Sequence, residues 1–252
     1  MSRLRGKVAI VTGAGQGVGQ GIAYALAAEG AAVVVAGRTE SKLQDTCRGI
    51  LERGGQALLV VCDVFEADDI QRTVATTVDT LGGIDILVNN AYDGAFGPLL
   101  ALDDKAFMRG IQSGTLASFR LMRACHPHMK ARGGGDIINL ATSAAVRWDS
   151  SNYGAYAVAK QGVRALTRAA AAEWGPDGIR VNSIAPLALS PALEYWTKTD
   201  PEAPTFFKSV PLGRIGDCEF DIGRAVVAIV SSDLRYLTGA TIPLDGGQAN
   251  FD

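Results

Sequence analysis

Several features that define specialised classes of protein are missing from this sequence of 252 residues. No two of its four cysteines form a C-x-x-C pair, which argues against a zinc ribbon, a redox motif and a disulfide scaffold and favours a reducing compartment. No apolar run approaches the roughly eighteen residues of a membrane-spanning helix, and the N-terminus does not read as a secretory leader. We therefore expect a cytoplasmic protein without a membrane partner.

A strong charge of either sign is also missing. The formal net charge is -2, and acidic and basic residues are interleaved without a basic block, which argues against nucleic acid as a partner and favours a small molecule. Possible metal ligands are scarce, because His126 and His128 are the two histidines and only Cys125 lies beside them. Pro127 separates these ligands at a predicted helix end, so we predict no metal site.

Short runs of Val, Ile and Leu alternate with longer stretches of helical periodicity. The predicted strands are residues 7–12, 32–36, 57–61, 85–89, 136–141, 179–185 and 240–245. The predicted helices are residues 17–29, 40–53, 67–81, 103–129, 152–174 and 218–231. Nearly continuous apolar strands are typical of a parallel sheet buried on both faces. The pattern predicts one doubly wound α/β domain of the Rossmann type over residues 1–252, with seven parallel strands and helices on both faces.

One stretch, residues 186–217, lacks this regularity. It holds five prolines and the aromatic residues Tyr195, Trp196, Phe206 and Phe207. A long and weakly structured segment within a compact domain is usually a functional lid. We predict that this lid segment (residues 186–217) covers a substrate.

A glycine-rich turn follows the first strand in "TGAGQGVGQG". Glycines let the backbone approach a diphosphate, and the start of the next helix offers free N–H groups. The spacing fits G-x-x-x-G-x-G through Gly13, Gly17 and Gly19, and not the strict G-x-G-x-x-G pattern. The turn predicts a dinucleotide site, the alternative being a tight turn without a ligand.

The end of the second strand indicates which dinucleotide binds. An acid at this position holds the ribose hydroxyls of NAD, whereas an arginine nearby accommodates the 2′-phosphate of NADP. Here Gly37 takes the acid position and Arg38 follows, so NADP(H) is favoured and NAD(H) remains possible. Arg38 as a solvated surface residue is the alternative, and Asp63, after the third strand, is either an adenine contact or a helix cap.

The stretch "SNYGAYAVAK" contains two tyrosines and a lysine. Residues four apart lie on one face of a helix, so Lys160 neighbours Tyr156, whereas Tyr153 has only Ala157 at that spacing. An ammonium about 4 Å from a phenol at an effective dielectric near 20 contributes about 4 kcal/mol, enough to lower the phenol's pKa by about three units. Tyr156 is therefore the candidate acid and base, although an exposed pair is the alternative.

Taken together, these motifs resemble the classical short-chain dehydrogenase/reductase family over essentially the whole chain. The segments that carry the resemblance are "TGAGQGVG", "CDV", "NNA", "YAVAK", "IRVNSIAP" and "LDGG". The resemblance implies hydride transfer between a nicotinamide dinucleotide and a ketone or secondary alcohol, and it implies a homotetramer. It also implies a catalytic serine thirteen positions before Tyr156, which is Ser143. Ser143 and Tyr156 would bind the substrate oxygen, and Lys160 the nicotinamide ribose.

The resemblance also assigns the remaining contacts. For the cofactor it implies Gly13, Gly15, Gln16, Gly17, Val18, Gly19, Arg38, Asp63, Val64, Asn90, Ala91, Tyr156, Lys160, Pro186 and Leu187. Near the substrate we predict Ser143, Tyr156, Tyr92, Trp148, Leu187, Tyr195 and Trp196, although the lid aromatics and Trp148 also suit a dimer seam. This apolar set predicts a hydrophobic substrate, as for a carbonyl reductase.

Three positions depart from the family pattern. Gly114 stands where the family has an asparagine of a proton relay, while Tyr92 and Leu187 replace glycines. These departures leave open a cofactor-binding regulator without turnover. Within the enzyme class, the nearest alternative is a 3-oxoacyl thioester reductase. Retention of Ser143, Tyr156 and Lys160 together favours catalysis.

Overall fold

A single parallel sheet forms the centre of the computed structural model, which describes residues 2–146, 152–201 and 203–249. The strands are β1 Val8–Thr12, β2 Ala32–Gly37, β3 Gln56–Val61, β4 Ile86–Asn89, β5 Gly135–Leu140, β6 Ile179–Pro186 and β7 Thr241–Leu244. Their spatial order is β3-β2-β1-β4-β5-β6-β7, and every pairing is parallel. The doubly wound α/β prediction is confirmed, with strand ends within one or two residues of those predicted.

Alternate residues of the strands enter two separate hydrophobic cores. In β1, Ala9 and Val11 face one core while Ile10 faces the other, and Val33 and Val34 divide in the same way in β2. These five side chains are completely buried. Burial on both faces explains why the strands read as continuous apolar runs instead of alternating patterns.

Helices cover both faces of the sheet. They are α1 Gly17–Ala28, α2 Glu40–Glu52, α3 Ala67–Leu81, α4 Asp104–Ile111, α5 Ala117–Ala131, α6 Gly154–Trp174, α7 Pro191–Thr199, α8 Ala203–Ser209 and α9 Arg224–Val230. In the described residues, no helix is both long and apolar enough to cross a bilayer.

The predicted helix 103–129 differs from the observed structure in two ways. A π-helical segment, Gln112–Leu116, separates α4 from α5, and α5 runs past Pro127 to Ala131. A proline removes one helical hydrogen bond and usually ends a helix. Here Cys125 and Met129 on either side of it are completely buried, and this packing holds the helix together. The predicted helix end at Met129 therefore lies two residues before the observed end at Ala131.

The predicted helix 218–231 also begins with a π-helical segment, Cys218–Gly223, which continues into α9. This segment crosses α1 at very close range. A Cβ at Gly223 would lie 2.6 Å from the carbonyl oxygen of Gly21, so the crossing requires glycine. The contact fixes the helix behind the glycine turn.

The lid segment is more ordered than predicted, because it contains α7 and α8. Ser190 caps α7, its hydroxyl accepting a hydrogen bond from the Leu193 amide at 3.4 Å, and Pro191 is the first helical residue. The prolines that suggested an irregular loop therefore mark a helix start in at least this case. The prediction of weak structure over residues 186–217 was wrong.

Candidate active site

Two adjoining cavities lie at the carboxyl edge of the sheet, beside the ends of β1 and β4. The turn cavity, lined by the glycine turn and by residues after β2 and β4, has a volume of about 430 Å³. The tyrosine cavity, lined by residues after β5, by α6 and by the lid segment, has a volume of about 1020 Å³. Val18, Asn90 and Tyr92 line both cavities, so the two adjoin. Open α/β sheets bind ligands at this crevice, where the strand order reverses.

The glycine turn presents its backbone to the turn cavity. Gly13 and Gly17 have φ of +64° and +58°, in the left-handed region that favours glycine. A Cβ at Gly13 would lie 2.8 Å from Asn90 Nδ2. Helix α1 begins at Gly17, and the side chain of the preceding Gln16 makes no capping hydrogen bond. The first amides of α1 are therefore available to an anion.

Asn90 ties the end of β4 to this turn. Its Nδ2 donates to the carbonyl oxygens of Thr12, at 2.8 Å, and of Gly13, at 3.1 Å. The Thr12 hydroxyl in turn accepts from the amides of Asn90 and Ala91. These four hydrogen bonds fix the turn against the strand that carries the next part of the site.

Two basic residues, Arg38 and Lys42, line the turn cavity. Arg38 follows β2 and pairs with Asp93 at 2.8 Å, and Arg109 binds the same carboxylate through two hydrogen bonds. These bonds, Arg109's first and Arg38's second, hold the pKa of Asp93 below its usual value. Lys42 also lines the cavity, and its Nζ donates to Gln16 Oε1 at 2.6 Å. Arg38 and Lys42 are thus the cations that line the turn cavity.

Helix α6 brings Tyr156 and Lys160 into the tyrosine cavity. Lys160 is buried, and its Nζ donates to the Leu140 carbonyl oxygen at 2.6 Å. That nitrogen lies 5.8 Å from the ring centroid of Tyr156. Tyr153 also lines this cavity, although its side chain is more exposed. The spacing argument correctly placed Tyr156 and Lys160 side by side.

Burial dominates the titration of both groups. It lowers the pKa of Lys160 to about 7. It also raises the pKa of Tyr156, an effect that a hydrogen bond with Thr142 opposes. We expected Lys160 to lower the pKa of Tyr156, and that contribution stays a prediction, because the net shift is upward and burial is its largest cause. The amine donates to the Leu140 carbonyl oxygen, and its nitrogen lies 5.8 Å from the ring centroid of Tyr156.

Two hydroxyls follow β5. Ser143 is buried, and its Oγ donates to Asp245 Oδ2 at 2.5 Å. The neighbouring Thr142 is the residue whose hydroxyl is hydrogen-bonded to Tyr156. Both line the tyrosine cavity. Two hydroxyls, instead of the one predicted, therefore line the cavity that contains the phenol, and that of Ser143 is bound to Asp245.

Comparison with known proteins agrees with this geometry. A family model described as Enoyl-(Acyl carrier protein) reductase matches residues 13–249. The chain is 42% identical to the 12α-hydroxysteroid dehydrogenase of Clostridium sp., over 96% of each chain. It is 36% identical to the 7α-hydroxysteroid dehydrogenase of Clostridium sardiniense, over 99% of this chain and 95% of that protein.

A solved structure of a 7α-hydroxysteroid dehydrogenase complexed with NADH and 7-oxo glycochenodeoxycholic acid has the same fold. The TM-score is 0.93 at 32% identity, over 98% of this chain and 96% of the other. The chain belongs to the short-chain dehydrogenase/reductase family. It is an oxidoreductase, and the family uses a nicotinamide dinucleotide.

The glycine turn of this short-chain dehydrogenase fits such a dinucleotide. The left-handed glycines, the close approach of Asn90 and the uncapped start of α1 form a cradle that side chains would fill. Most of the residues predicted to bind the cofactor line the two cavities. They are Gly13, Gly15, Gln16, Gly17, Val18, Arg38, Val64, Asn90, Ala91, Tyr156, Lys160, Pro186 and Leu187.

Two predicted cofactor residues do not line either cavity. A Cβ at Gly19 would collide with Asn90 and Gly13, so this glycine permits close packing of α1. Asp63 accepts a hydrogen bond from the Phe65 amide at 3.0 Å through one carboxylate oxygen. This bond closes a turn before α3, whose N-cap residue is Glu66, so Asp63 is not the helix cap and an adenine contact stays a prediction.

The predicted substrate residues divide similarly. Tyr92, Ser143, Tyr156, Leu187 and Trp196 line the tyrosine cavity. Tyr195 does not, because α7 turns its side chain to solvent, where 72% of the residue is exposed. Trp148 lies outside the described residues.

Other lining residues were not predicted. In the turn cavity these include Thr39, Lys42, Leu43, Cys62, Phe65, Asp93, Ser190, Pro191 and Ala192. In the tyrosine cavity they include Phe96, Thr142, Tyr153, Leu193, Phe206 and Gln248. Lys42 could have been predicted from the sequence, because it follows Arg38 by four positions. Phe96 carries no periodic pattern that would have indicated its position.

His126 contacts Asp177 and Trp174. Its Nε2 contacts Asp177 Oδ2 at 3.0 Å, and its ring lies 4.8 Å from the ring centroid of Trp174. In the part of the chain that the structure describes, no three His, Cys, Asp or Glu residues are grouped as a metal site would require. His126 therefore joins α5 to the segment before β6.

Proposed function

We propose that this enzyme interconverts a ketone and a secondary alcohol on a hydrophobic, multi-ring molecule of the hydroxysteroid class, with NADP(H) preferred over NAD(H). The observation that carries the proposal is the tyrosine cavity, in which Tyr156 and Lys160 face apolar walls beside a dinucleotide cradle. The similarity to two hydroxysteroid dehydrogenases supports the substrate class.

The roles of the chain's own groups follow from their positions. Tyr156 gives its phenolic proton to the carbonyl oxygen during reduction and takes it back during oxidation. The hydroxyl of Ser143 stabilises the negative charge that develops on that oxygen, whereas Thr142 is hydrogen-bonded to the phenol of Tyr156. Apolar residues such as Phe96, Leu193 and Phe206 keep water away from the reacting carbon. When bound, the dinucleotide supplies or accepts the hydride.

Lys160 and the glycine turn act on the cofactor. The amides at the start of α1 would bind the diphosphate, and Lys160 would hold the nicotinamide ribose. A charged ammonium near the phenol also favours its deprotonated form during oxidation. We further propose a homotetramer in the cytoplasm, which rests on the family resemblance and on the four free cysteines.

Turnover tests the proposal directly. We expect wild type to oxidise NADPH with a panel of oxo-steroids, and Tyr156→Phe to lose at least about a hundredfold in kcat because the proton donor is removed. Tyr153→Phe is the matched control, since it deletes a phenol from the same cavity, and it should stay within about threefold of wild type. The assay is loss of absorbance of NADPH at neutral pH.

The same panel separates the alternatives. Turnover of 3-oxoacyl thioesters with no oxo-steroid activity would establish the thioester reductase. Dinucleotide binding without turnover of any carbonyl would establish the regulator.

Cofactor preference is tested at Arg38. Because Arg38 and Lys42 line the turn cavity where β2 ends without a carboxylate, they should bind a 2′-phosphate. We expect Arg38→Ala to weaken NADPH binding about tenfold or more and to leave NADH binding within about twofold. Arg48→Ala, which removes an exposed arginine of α2 paired with Asp45, is the control. Unchanged NADPH affinity in Arg38→Ala would remove the role assigned to this residue.

A further inference from the structure

The side chain of Tyr92 is enclosed by three glycines. A Cβ at Gly110 would lie 2.7 Å from its hydroxyl oxygen, and a Cβ at Gly114 would lie 3.4 Å from its ring. A Cβ at Gly94 would overlap the same hydroxyl. We call Gly94, Gly110 and Gly114 the glycine slot. The slot admits the phenol ring of Tyr92 because these three positions carry no side chain.

The hydroxyl does not explain why a tyrosine fills this slot. It is buried, and it has no hydrogen-bond partner in the described residues. Burial raises its pKa above the usual value, so the phenol stays protonated at neutral pH. A buried, unpaired hydroxyl is destabilising. The contacts that Tyr92 makes with the catalytic candidates are those of its aromatic ring.

That ring meets the ammonium of Lys160. The distance from Lys160 Nζ to the Tyr92 ring centroid is 4.9 Å, shorter than the 5.8 Å to the ring of Tyr156. No carboxylate pairs with Lys160 within the described ranges, and its nitrogen donates to the Leu140 carbonyl. The titratable groups facing the ammonium are thus the phenols of Tyr92 and Tyr156. An aromatic face attracts a cation most strongly where water is excluded.

The wall of the slot is fixed to the helix that carries Lys160. Thr115, in the π-helical segment Gln112–Leu116, donates from its hydroxyl to the Ala159 carbonyl oxygen at 2.7 Å. Tyr92 and Tyr156 also contact each other edge to face, with centroids 4.8 Å apart. Slot, ring and lysine are therefore held in one arrangement.

We propose that Tyr92 is a positioning residue for Lys160: its ring, held in the glycine slot, stabilises the ammonium and keeps it beside Tyr156. This inference rests on the proposed function, because there Lys160 holds the nicotinamide ribose and acts on Tyr156. The aromatic face takes the place that a carboxylate would take at an ordinary buried lysine.

The first test measures the pKa of Lys160 in the protein without dinucleotide. Lysine labelled with ¹³C at Cε reports protonation by NMR, and Lys160→Met assigns the resonance. Tyr92→Leu keeps the site apolar but removes the aromatic face, so the pKa should fall by about one unit from about 7. Tyr92→Phe keeps the face and should leave the pKa within about 0.3 units of wild type. If Tyr92→Leu does not fold, Tyr92→Met replaces it.

The outcomes are distinct. An equal pKa of Lys160 in the leucine or methionine variant and in wild type, or an equal shift in Tyr92→Phe, would overturn the proposal. Because this titration needs no turnover, it is decided independently of the substrate. In the active enzyme, kcat at pH 7 should fall about fivefold in Tyr92→Leu and recover toward pH 6, where more of the lysine is protonated. Tyr92→Phe should retain the wild-type pH profile.

The second test concerns the slot. Gly110→Ala places a methyl group against the Tyr92 hydroxyl and should lower the melting temperature, whereas Gly114→Ala makes an ordinary contact with the ring and should be tolerated. Combining Gly110→Ala with Tyr92→Phe removes the colliding oxygen and should restore most of the loss. Additive effects of the two substitutions would show that the hydroxyl does not lie against Gly110.

Discussion

At the scale of single residues, Thr142 and Ser143 are neighbours with different partners. Thr142 is hydrogen-bonded to Tyr156 and lowers its pKa, whereas Ser143 donates to Asp245. Thr142→Val should therefore raise the pKa of Tyr156 and move the pH profile of alcohol oxidation to higher pH. At pH 7 oxidation should slow by about tenfold, because fewer phenolate anions are available, while ketone reduction changes little. Steady-state kinetics in both directions over pH 6–10 measure this.

Ser143→Ala is the comparison for Thr142→Val. Loss of a donor to the substrate oxygen should slow oxidation and reduction alike, by roughly a hundredfold, without moving the profile. If Ser143→Ala moves the pH profile to higher pH and Thr142→Val slows both directions equally, then Ser143 acts on the phenol and Thr142 on the substrate oxygen.

At the scale of elements, sequence periodicity predicted the strands and most helices well, since burial on one or two faces leaves a repeating pattern. The ends of α3 at Ala67 and Leu81 agree with the prediction. The π-helical segments Gln112–Leu116 and Cys218–Gly223 were missed, because one extra residue in a turn barely changes the pattern. The helices of the lid segment were missed because prolines obscured them.

The lid helices carry the apolar roof of the tyrosine cavity. Trp196 of α7 lies edge to face with Phe206 of α8, at a centroid distance of 5.4 Å, and both line the cavity. Trp196→Ala should raise KM for an oxo-steroid about tenfold, corresponding to about 1.4 kcal/mol of lost apolar contact, with a smaller effect on kcat. Tyr195→Ala removes the adjacent, exposed aromatic residue and should change KM by less than about twofold. Equal effects in both variants would mean that α7 acts as a unit and not through Trp196.

At the scale of the whole molecule, the cofactor half of the site was easier to predict than the substrate half. The glycine turn, Arg38 and Asn90 lie next to strands along the chain, so local sequence places them. The substrate cavity instead combines β5, α6 and the lid segment, and contacts between distant segments leave no spacing in the sequence. Tyr92 illustrates this difference: its position after β4 was evident, but its glycine slot depends on residues up to 22 positions away.

Asp85 directly precedes β4 and connects it to the start of β1 and the end of α5. Its buried carboxylate accepts from the Val8 amide at 2.9 Å and pairs with Lys7 and Arg132, at 3.0 Å in each case. Asp85→Ala leaves a buried amide and two cations without their acceptor. The free energy of unfolding in urea at pH 7 should therefore fall by about 2–4 kcal/mol.

Asp45→Ala is the control for Asp85→Ala, because Asp45 forms an exposed ion pair with Arg48. Such pairs contribute about 0–1 kcal/mol, so the expected loss is within that range. Similar losses in the two variants would contradict a structural role for Asp85. A large loss at Asp85 with normal activity at low temperature would show that the cluster holds β1, β4 and the end of α5 together without acting on the reaction. It lies at the opposite end of the strands from Tyr156, so this separation is the expected result.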